Sequence, residues 1–318
     1  MMRGPHVENR SLSVALLAAF CAAAPAFAND PASCATVRSS DPGWTDITAT
    51  NGVATALLKG LGYKPDIRTL SVPIGYEALK TGETDVFLGN WMPAQKSFRD
   101  DLDASGQTEE LVQNLEGAKF TLAVTAAAKD LGIADFKDLD AHRDAFGGKI
   151  YGIEPGAPAN QSIAKMIAED KFGLGDWELV ESSEQGMLAQ VQRNEAASTP
   201  SVFLAWAPHP MNVALDVTYL AGGDAEFGPD FGGASVHTIA RKAWVAECPN
   251  LAKLFTQLTF DVDMENVLMG NILDDGMEPA KAASGWIAAH PEVAAKWLDG
   301  VTTLDGQPGL EAVMASVQ

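Results

Sequence analysis

The sequence predicts an α/β protein of two lobes, and three observations carry that expectation. Strand-like and helix-like runs alternate from Thr36 to Leu88, and a second block from Gly148 to Pro208 repeats the cadence. A series of runs with helical spacing then closes the chain from Pro249 onward. Alternation of this kind builds parallel sheets covered by helices on both faces. In such sheets ligands bind outside the carboxyl ends of the strands.

In the first block, Thr36–Arg38 reads as a strand leading into Ser40-Asp-Pro-Gly-Trp-Thr-Asp46, whose Ser, Asp, Pro and Gly make a turn that carries Trp44. Asp46 is suited to accept the free N–H groups of the next helix. That helix runs over Ile47–Leu61, with Val53, Leu57, Leu58 and Leu61 at helical spacing and Gly60-Leu-Gly62 ending it. Lys64–Leu70 is the second strand, Pro73–Lys80 a short helix and Asp85–Leu88 the third strand. Gly89-Asn90 opens its exit, with Asn90 shaping the turn. Trp91 is expected just past the strand's end, before Pro93 breaks the chain.

Leu111–Leu115 is extended, the chain is expected to cross to the second lobe near Gly117, and Phe120–Val124 follows as a strand. Ile133–Leu139 holds a short helix. Gly148–Ile153 is a strand feeding the loop Glu154-Pro-Gly-Ala-Pro-Ala-Asn-Gln161, which starts a helix with Asn160 near its first turn. Trp177–Val180, Glu184–Arg193 and Val202–Trp206 read as strand, helix and strand. The return crossing is expected near Asn212, with Asn212–Tyr219 extended and Val236–Ala240 a further strand. Helices over Pro249–Leu258, Met264–Asp274, Pro279–Ala289 and Pro291–Leu298 complete the chain. The expected division is a leader over 1–28, a first lobe over 29–117 and 212–318, and a second lobe over 118–211.

Arg3 and Arg10, the apolar run Leu12–Ala24 and the closing Ala26-Phe-Ala28 have the form of an export signal cleaved after Ala28. The mature chain is therefore expected to be soluble and exported. No cysteine stands beside the cleavage site, so no lipid anchor is indicated and a periplasm is the natural compartment. Cys34 and Cys248 remain as an even pair in an oxidising compartment, which predicts a disulfide that ties the late helices to the first lobe. The formal net charge of −20 disfavours nucleic acid and anionic lipid and favours a cationic ligand.

Enzyme chemistry finds no footing. His142, His209, His237 and His290 have no metal-binding spacing, and the chain lacks a nucleophile elbow, a phosphate loop and a dinucleotide fingerprint. Asp261, Asp263 and Glu265 fail the EF-hand spacing and dress a helix start instead. His209, in Ala207-Pro-His-Pro210, reads as a hydrogen-bonded loop organiser beside Trp206. No catalytic residue, metal or cofactor is expected. What the loops do offer is aromatic surface, at Trp44, Trp91, Phe120 and Trp206. Ring faces attract a quaternary ammonium through their quadrupoles, at about 0.5–2 kcal/mol each, while its methyl groups bury apolar area. Asp46 can act on such a cation through its field or accept a bond from a ligand hydroxyl, and Asn160 can bond that hydroxyl too.

Asp41-Pro-Gly-Trp-Thr-Asp46, Phe87-Leu-Gly-Asn-Trp-Met-Pro93, Gly152-Ile-Glu-Pro-Gly156 and Trp206-Ala-Pro-His-Pro-Met-Asn212 together resemble the periplasmic substrate-binding proteins of ABC transporters for quaternary amines, the glycine betaine and choline type. The resemblance covers essentially the whole mature chain. It implies a type II periplasmic binding protein fold, two α/β lobes closing on ligand, and docking of a monomer on a membrane permease driven by an ATPase. In the choline-binding branch three tryptophans and a tyrosine enclose the trimethylammonium group, and an acidic residue and an asparagine complete the pocket. By the motifs these fall on Trp44, Trp91, Trp206, Phe120, Asp46 and Asn160, with His209 and Asn90 as secondary candidates. The family also implies the Cys34–Cys248 disulfide. Two departures stand out: Phe120 lacks the tyrosine hydroxyl, and a second proline enters the loop before Asn160. Both leave glycine betaine, carnitine and trimethylamine N-oxide as alternative ligands. The position of Asp46 disfavours a ligand carboxylate by like-charge repulsion and keeps choline ahead.

Overall fold

A computed structural model describes residues 30–317, together with Met1, Met2 and Gly4. The leader expected over residues 1–28 lies outside the described stretch. Among the described residues no helix is long and apolar enough to cross a membrane.

The first block runs β1 (Thr36–Asp41), α1 (Thr45–Gly60), β2 (Lys64–Thr69), α2 (Val72–Thr81), β3 (Val86–Met92) and α3 (Lys96–Ser105). Then come β4 (Thr108–Val124), α4 (Ala126–Lys129), β5 (Lys149–Tyr151), α5 (Pro158–Ala168), β6 (Glu178–Val180), α6 (Glu184–Ala196), β7 (Val202–Ala207), α7 (Met211–Ala214) and β8 (Thr218–Tyr219). The chain finishes with α8 (Asp224–Phe227), α9 (Pro229–Gly232), β9 (Gly233–Arg241), α10 (Lys242–Glu247), α11 (Pro249–Gln257), α12 (Val262–Leu273), α13 (Pro279–Ala289), α14 (Pro291–Trp297) and α15 (Gly309–Ser316).

The strands join in the order β2-β1-β3-β9-β4-β7-β5-β6, with β8 on β4. Parallel pairing holds within β2-β1-β3 and within β7-β5-β6. The centre is antiparallel, because β9 lies between β3 and β4 and runs against both. The sheet is therefore mixed, where the cadence alone predicted parallel. The two extended runs expected on either side of Gly117 are one strand, β4, of 17 residues. Its residues 108–119 pair with β9 and its residues 119–124 with β7, so a single strand serves both lobes. A register irregularity between Leu115 and Ala118, with Gly117 at φ 79°, marks the passage. Glycine takes that left-handed conformation without the steric cost of a Cβ.

The stretch after Asn212 departs from expectation. It is a short helix, α7, followed by β8, which pairs with the carboxyl end of β4. Phe227 of α8 then packs on Phe120 and Phe136. Residues 212–227 thus stay with the second block, and the chain re-enters the first through β9.

Helix α1 organises the first lobe. Ile47, Val53, Leu57 and Leu58 are buried along it, and α13 approaches so closely that a Cβ on Gly52 would meet the Pro279 carbonyl at 2.7 Å. The disulfide Cys34–Cys248, with Cα atoms 5.9 Å apart, pins the amino-terminal segment to the late helices. Asp30 reinforces the same seam. Its carboxylate accepts from the Asn250 and Leu251 N–H groups at 2.8 and 3.0 Å, satisfying the free donors of the first turn of α11.

Candidate functional site

Trp44 is the N-cap residue of α1, and Asp46 lies in its first turn. From that turn the two side chains reach a small cavity lined by Trp44, Asp46, Trp91, Ala94, Gln95, Phe120, Ile153, Pro158, Ala159, Leu204 and Trp206. Trp91 is not beyond β3, as expected, but inside it, and Asn90 with it. The strand outlasts its glycine because β9 pairs with it as far as Met92. Across the cleft, Phe120 and Trp206 are register partners on β4 and β7. Leu204, two residues before Trp206, shares its face by strand alternation, so this wall follows from the period of the sheet. Phe227 backs Phe120 edge-on, with ring centroids 5.2 Å apart.

The polar groups of the lining are nearly all engaged with protein. Trp44 Nε1 donates to both oxygens of Glu154 at 3.0 and 3.1 Å, and Trp91 Nε1 donates to Asp46 Oδ2 at 2.9 Å. Gln95 accepts from the Tyr76 hydroxyl and donates to the Gly89 carbonyl, both at 2.8 Å. What remains is Asp46 Oδ1, buried and without a well-formed hydrogen bond among the described residues, although the Ile47 N–H stands close enough to the carboxylate to favour its charged form. A buried acceptor without a donor costs free energy of order 1–3 kcal/mol, more when charged. It therefore marks where a donor or a positive charge belongs. Burial, with Glu184 nearby as the second cause, raises the Asp46 pKa to about 7. Burial also raises Asp41 and Glu154, and it raises Glu265 well above the carboxylate range with Asp46 adding to the effect. The carboxyl groups around α1's first turn thus resist ionisation, and a positive charge placed among them would favour the ionised form of Asp46.

The remaining candidates sit behind this lining. Asn160 is in α5, but its Oδ1 accepts from Ile153 N–H while its Nδ2 donates to the Ile153 and Glu154 carbonyls and to Glu181. Its neighbours Pro158 and Ala159 reach the cavity instead. The structure thus gives Asn160 the task of folding the loop that holds Ile153 and Glu154. Asn90 is likewise buried in support, donating to the Tyr76 hydroxyl and accepting from Arg99, one bond removed from Gln95. His209 meets Trp206 edge-on at 5.1 Å. Its Nδ1 accepts from Met211 N–H at 2.9 Å, which assigns the proton to Nε2, donating to Glu184 Oε1 at 3.2 Å. It is the loop organiser expected, with an unexpected partner.

Sequence reasoning missed Gln95, Glu154 and Glu184 as contributors. Gln95 carries a faint signal, four residues after Trp91 and two after Pro93. Glu154 stands inside the Gly152-Ile-Glu-Pro-Gly156 motif but nothing there names its partner, and Glu184 carries no signal, because their partners lie 110 and 139 residues away. Among the described residues no three or more His, Cys, Asp or Glu side chains are grouped to hold a metal ion.

Known proteins supply an independent comparison. Residues 35–289 match a family model described as the substrate binding domain of an ABC-type glycine betaine transport system. The chain is similar to a solved ABC-transporter choline binding protein in complex with choline, at 52% identity and a TM-score of 0.89 over 91% of this chain and 100% of that one. It is also similar to an ABC-transporter choline binding protein in an unliganded semi-closed conformation, at 52% identity and a TM-score of 0.82 over 90% and 99% of the two chains. A glycine betaine/carnitine transport binding protein of Listeria monocytogenes is 28% identical over 197 residues, 62% of this chain and 60% of that protein. The chain belongs to the family of substrate-binding domains of ABC-type glycine betaine transport systems, with the two-lobed type II periplasmic binding protein fold.

Proposed function

We propose that the protein captures choline between its lobes and presents it to a membrane permease. Membership of the family makes it an extracytoplasmic transport receptor rather than a catalyst, and it implies docking on an ABC-type permease and, through it, an ATPase. The finer assignment is to a soluble monomer whose first lobe comprises the residues up to 117 and from 233. The second lobe then spans 118–232. The return crossing moves from the expected residue 212 because β8 and Phe227 pack with the second lobe.

The observation that carries the ligand assignment is Asp46 Oδ1, an acceptor with no hydrogen-bond partner among the described residues, in a cavity whose other lining is aromatic and aliphatic apart from Gln95, whose amide is engaged by Tyr76 and Gly89. A trimethylammonium group fits the ring faces of Trp44, Trp91, Phe120 and Trp206 by cation–π attraction, and a hydroxyl two carbons away supplies the donor Asp46 lacks. Three or four such faces contribute about 1.5–8 kcal/mol in all, and burial of the methyl groups adds about 25 cal/mol per Å² toward the roughly 8 kcal/mol of micromolar binding. A betaine finds no cationic side chain for its carboxylate, since among the described residues no arginine, lysine or histidine lines the cavity. The two solved relatives at 52% identity, both described as choline binding, support the same choice.

Another methylated amine is the second reading, favoured by Phe120, whose ring offers no hydroxyl to a choline-sized ligand. A competition titration across choline, acetylcholine, glycine betaine, carnitine and trimethylamine N-oxide decides between them. Choline is expected to bind tightest, and glycine betaine or the N-oxide displacing it at lower concentration overturns the assignment while leaving the transport role intact.

A further inference from the structure

Glu184 is the first residue of α6, on the second lobe, yet its strongest bonds go to the first lobe. Its Oε2 accepts from Thr45 N–H at 2.9 Å, and its Oε1 accepts from the Thr45 hydroxyl. Thr45 opens α1, immediately between Trp44 and Asp46. The third donor is His209 Nε2, from the second lobe, whose tautomer is set by Met211 N–H. Glu184, His209, Thr45 and Asp46 are all nearly or fully buried. Glu184 does not line the cavity.

Three donors on one buried carboxylate make a strong, directional clamp, because charge-assisted bonds in a dry site are about twice as strong as neutral ones. Two of the three exist only while the lobes are together. Separating the lobes returns Glu184 and the first turn of α1 to water, while the His209 bond stays intact and keeps the carboxylate aimed. Trp44 Nε1 to Glu154 is a second bond across the same seam. Closure also carries an electrostatic cost: it brings Glu184 of the second lobe against Asp41 and Asp46 of the first, and Glu184 is among the causes that raise both, after burial. A bound cation offsets that repulsion, and the bonds to Thr45 then hold the closed form.

We infer that Glu184, aimed by His209, is a closure latch that grips the first turn of α1 when the cation is in place, a positioning residue for Asp46 and Trp44 rather than a ligand contact. This rests on the reading of the cleft as a cation trap. A latch made after the ligand has entered governs escape more than entry.

The test is stopped-flow tryptophan fluorescence on the mature chain with choline, alongside small-angle scattering at saturating ligand. For Glu184→Gln, which keeps one acceptor and turns the other into a donor facing Thr45 N–H, dissociation is expected to quicken tenfold or more. Association should stay within about threefold, with a larger radius of gyration than wild type when saturated. Thr45→Val removes only the hydroxyl donor, leaves the backbone bond, and should quicken dissociation a few-fold. It tests the latch even where the glutamine variant does not fold. Dissociation rates and scattering equal to wild type in the folded variants overturn the latch. So does slower association with unchanged dissociation, which would place Glu184 in the entry path. Wild type failing to bind choline refutes the ligand assignment instead, and the same two readouts with whichever methylated amine binds then test the latch.

Discussion

The two walls of the cleft are made of different material. The first lobe contributes Trp44, Asp46, Trp91, Ala94 and Gln95, among which stand the one carboxyl group and the one amide of the lining. The second lobe contributes Phe120, Ile153, Pro158, Ala159, Leu204 and Trp206, with no ionisable side chain. The polar wall comes from a helix N-terminus and a strand end, where bonds such as Trp91 to Asp46 fix each group. The apolar wall comes from alternation on β4 and β7. The second lobe keeps its own carboxylates, Glu154 and Glu184, one layer back, where they bond to the first lobe instead of to the cavity. On the proposed reading the first lobe supplies the carboxyl group and two ring faces, and the second supplies two further ring faces, the aliphatic wall and the bonds across the seam.

That difference is sharpened by substitution. The largest effect is expected at the polar wall. Asp46→Asn removes the charge but keeps the shape, and choline affinity should fall by about 2–3 kcal/mol, the range for a lost charged hydrogen bond. Calorimetric titration reads it, and a loss below about half a kcal/mol would mean the charge lies elsewhere.

Asp46 also sets a pH dependence. Its pKa of about 7 exceeds the ordinary 3.8, so between those values the folded, ligand-free protein holds a proton that the unfolded chain has lost. Its contribution to stability is present below about 3.8 and lost as pH rises through about 7. Cation binding needs the ionised form, so choline affinity should rise with pH toward and through 7 and then level off. Asp46→Asn should flatten both curves, as thermal melts and titrations at several pH values would record.

On the aromatic face, Trp91→Ala should cost at least about 1.5 kcal/mol of affinity with the fold retained, because it removes a ring face and the N–H that fixes Asp46. Unchanged binding would make Trp91 a packing residue. Asn160→Ala should act differently. It strips a bond from Ile153 N–H and two buried carbonyls, and is expected to cost about 1–3 kcal/mol of stability. A loss of affinity without a lower melting temperature would return Asn160 to the ligand. The smallest change is Phe120→Tyr, expected to shift affinity by less than about 1 kcal/mol, since the ring face is kept. A larger gain for choline would show that the missing hydroxyl tunes the site.

Much of this was legible in the sequence where local chemistry decides. The strands and helices flanking the motifs follow from periodicity and turn residues, as in α1 with its buried Ile47, Val53, Leu57 and Leu58. Trp44, at the start of α1, and Trp91, Phe120 and Trp206, inside β3, β4 and β7, converge on the same cavity. α3 escaped notice although Phe98 and Leu102 are four apart and Lys96–Asp100 and Arg99–Asp103 pair at the same spacing. That β9 runs antiparallel between two parallel sets leaves no trace in alternation alone, so the mixed centre of the sheet is not legible in the cadence. The motif resemblance places Asn160 at the ligand, whereas its amide bonds to backbone groups that only the folded loop presents. Glu184 was read only as a helix start, since its partners belong to the opposite lobe.

The central claim is that positive charge, not shape alone, is what the cleft selects. Titration of the wild-type protein with choline and with its neutral carbon isostere, in which a tert-butyl group replaces trimethylammonium, tests it most directly. The two share volume and hydroxyl and differ in one charge. Choline is expected to bind on the order of 100-fold tighter, the sum of several cation–π contacts and the field of Asp46. Equal affinities would contradict the account and reduce the aromatic walls to a hydrophobic pocket.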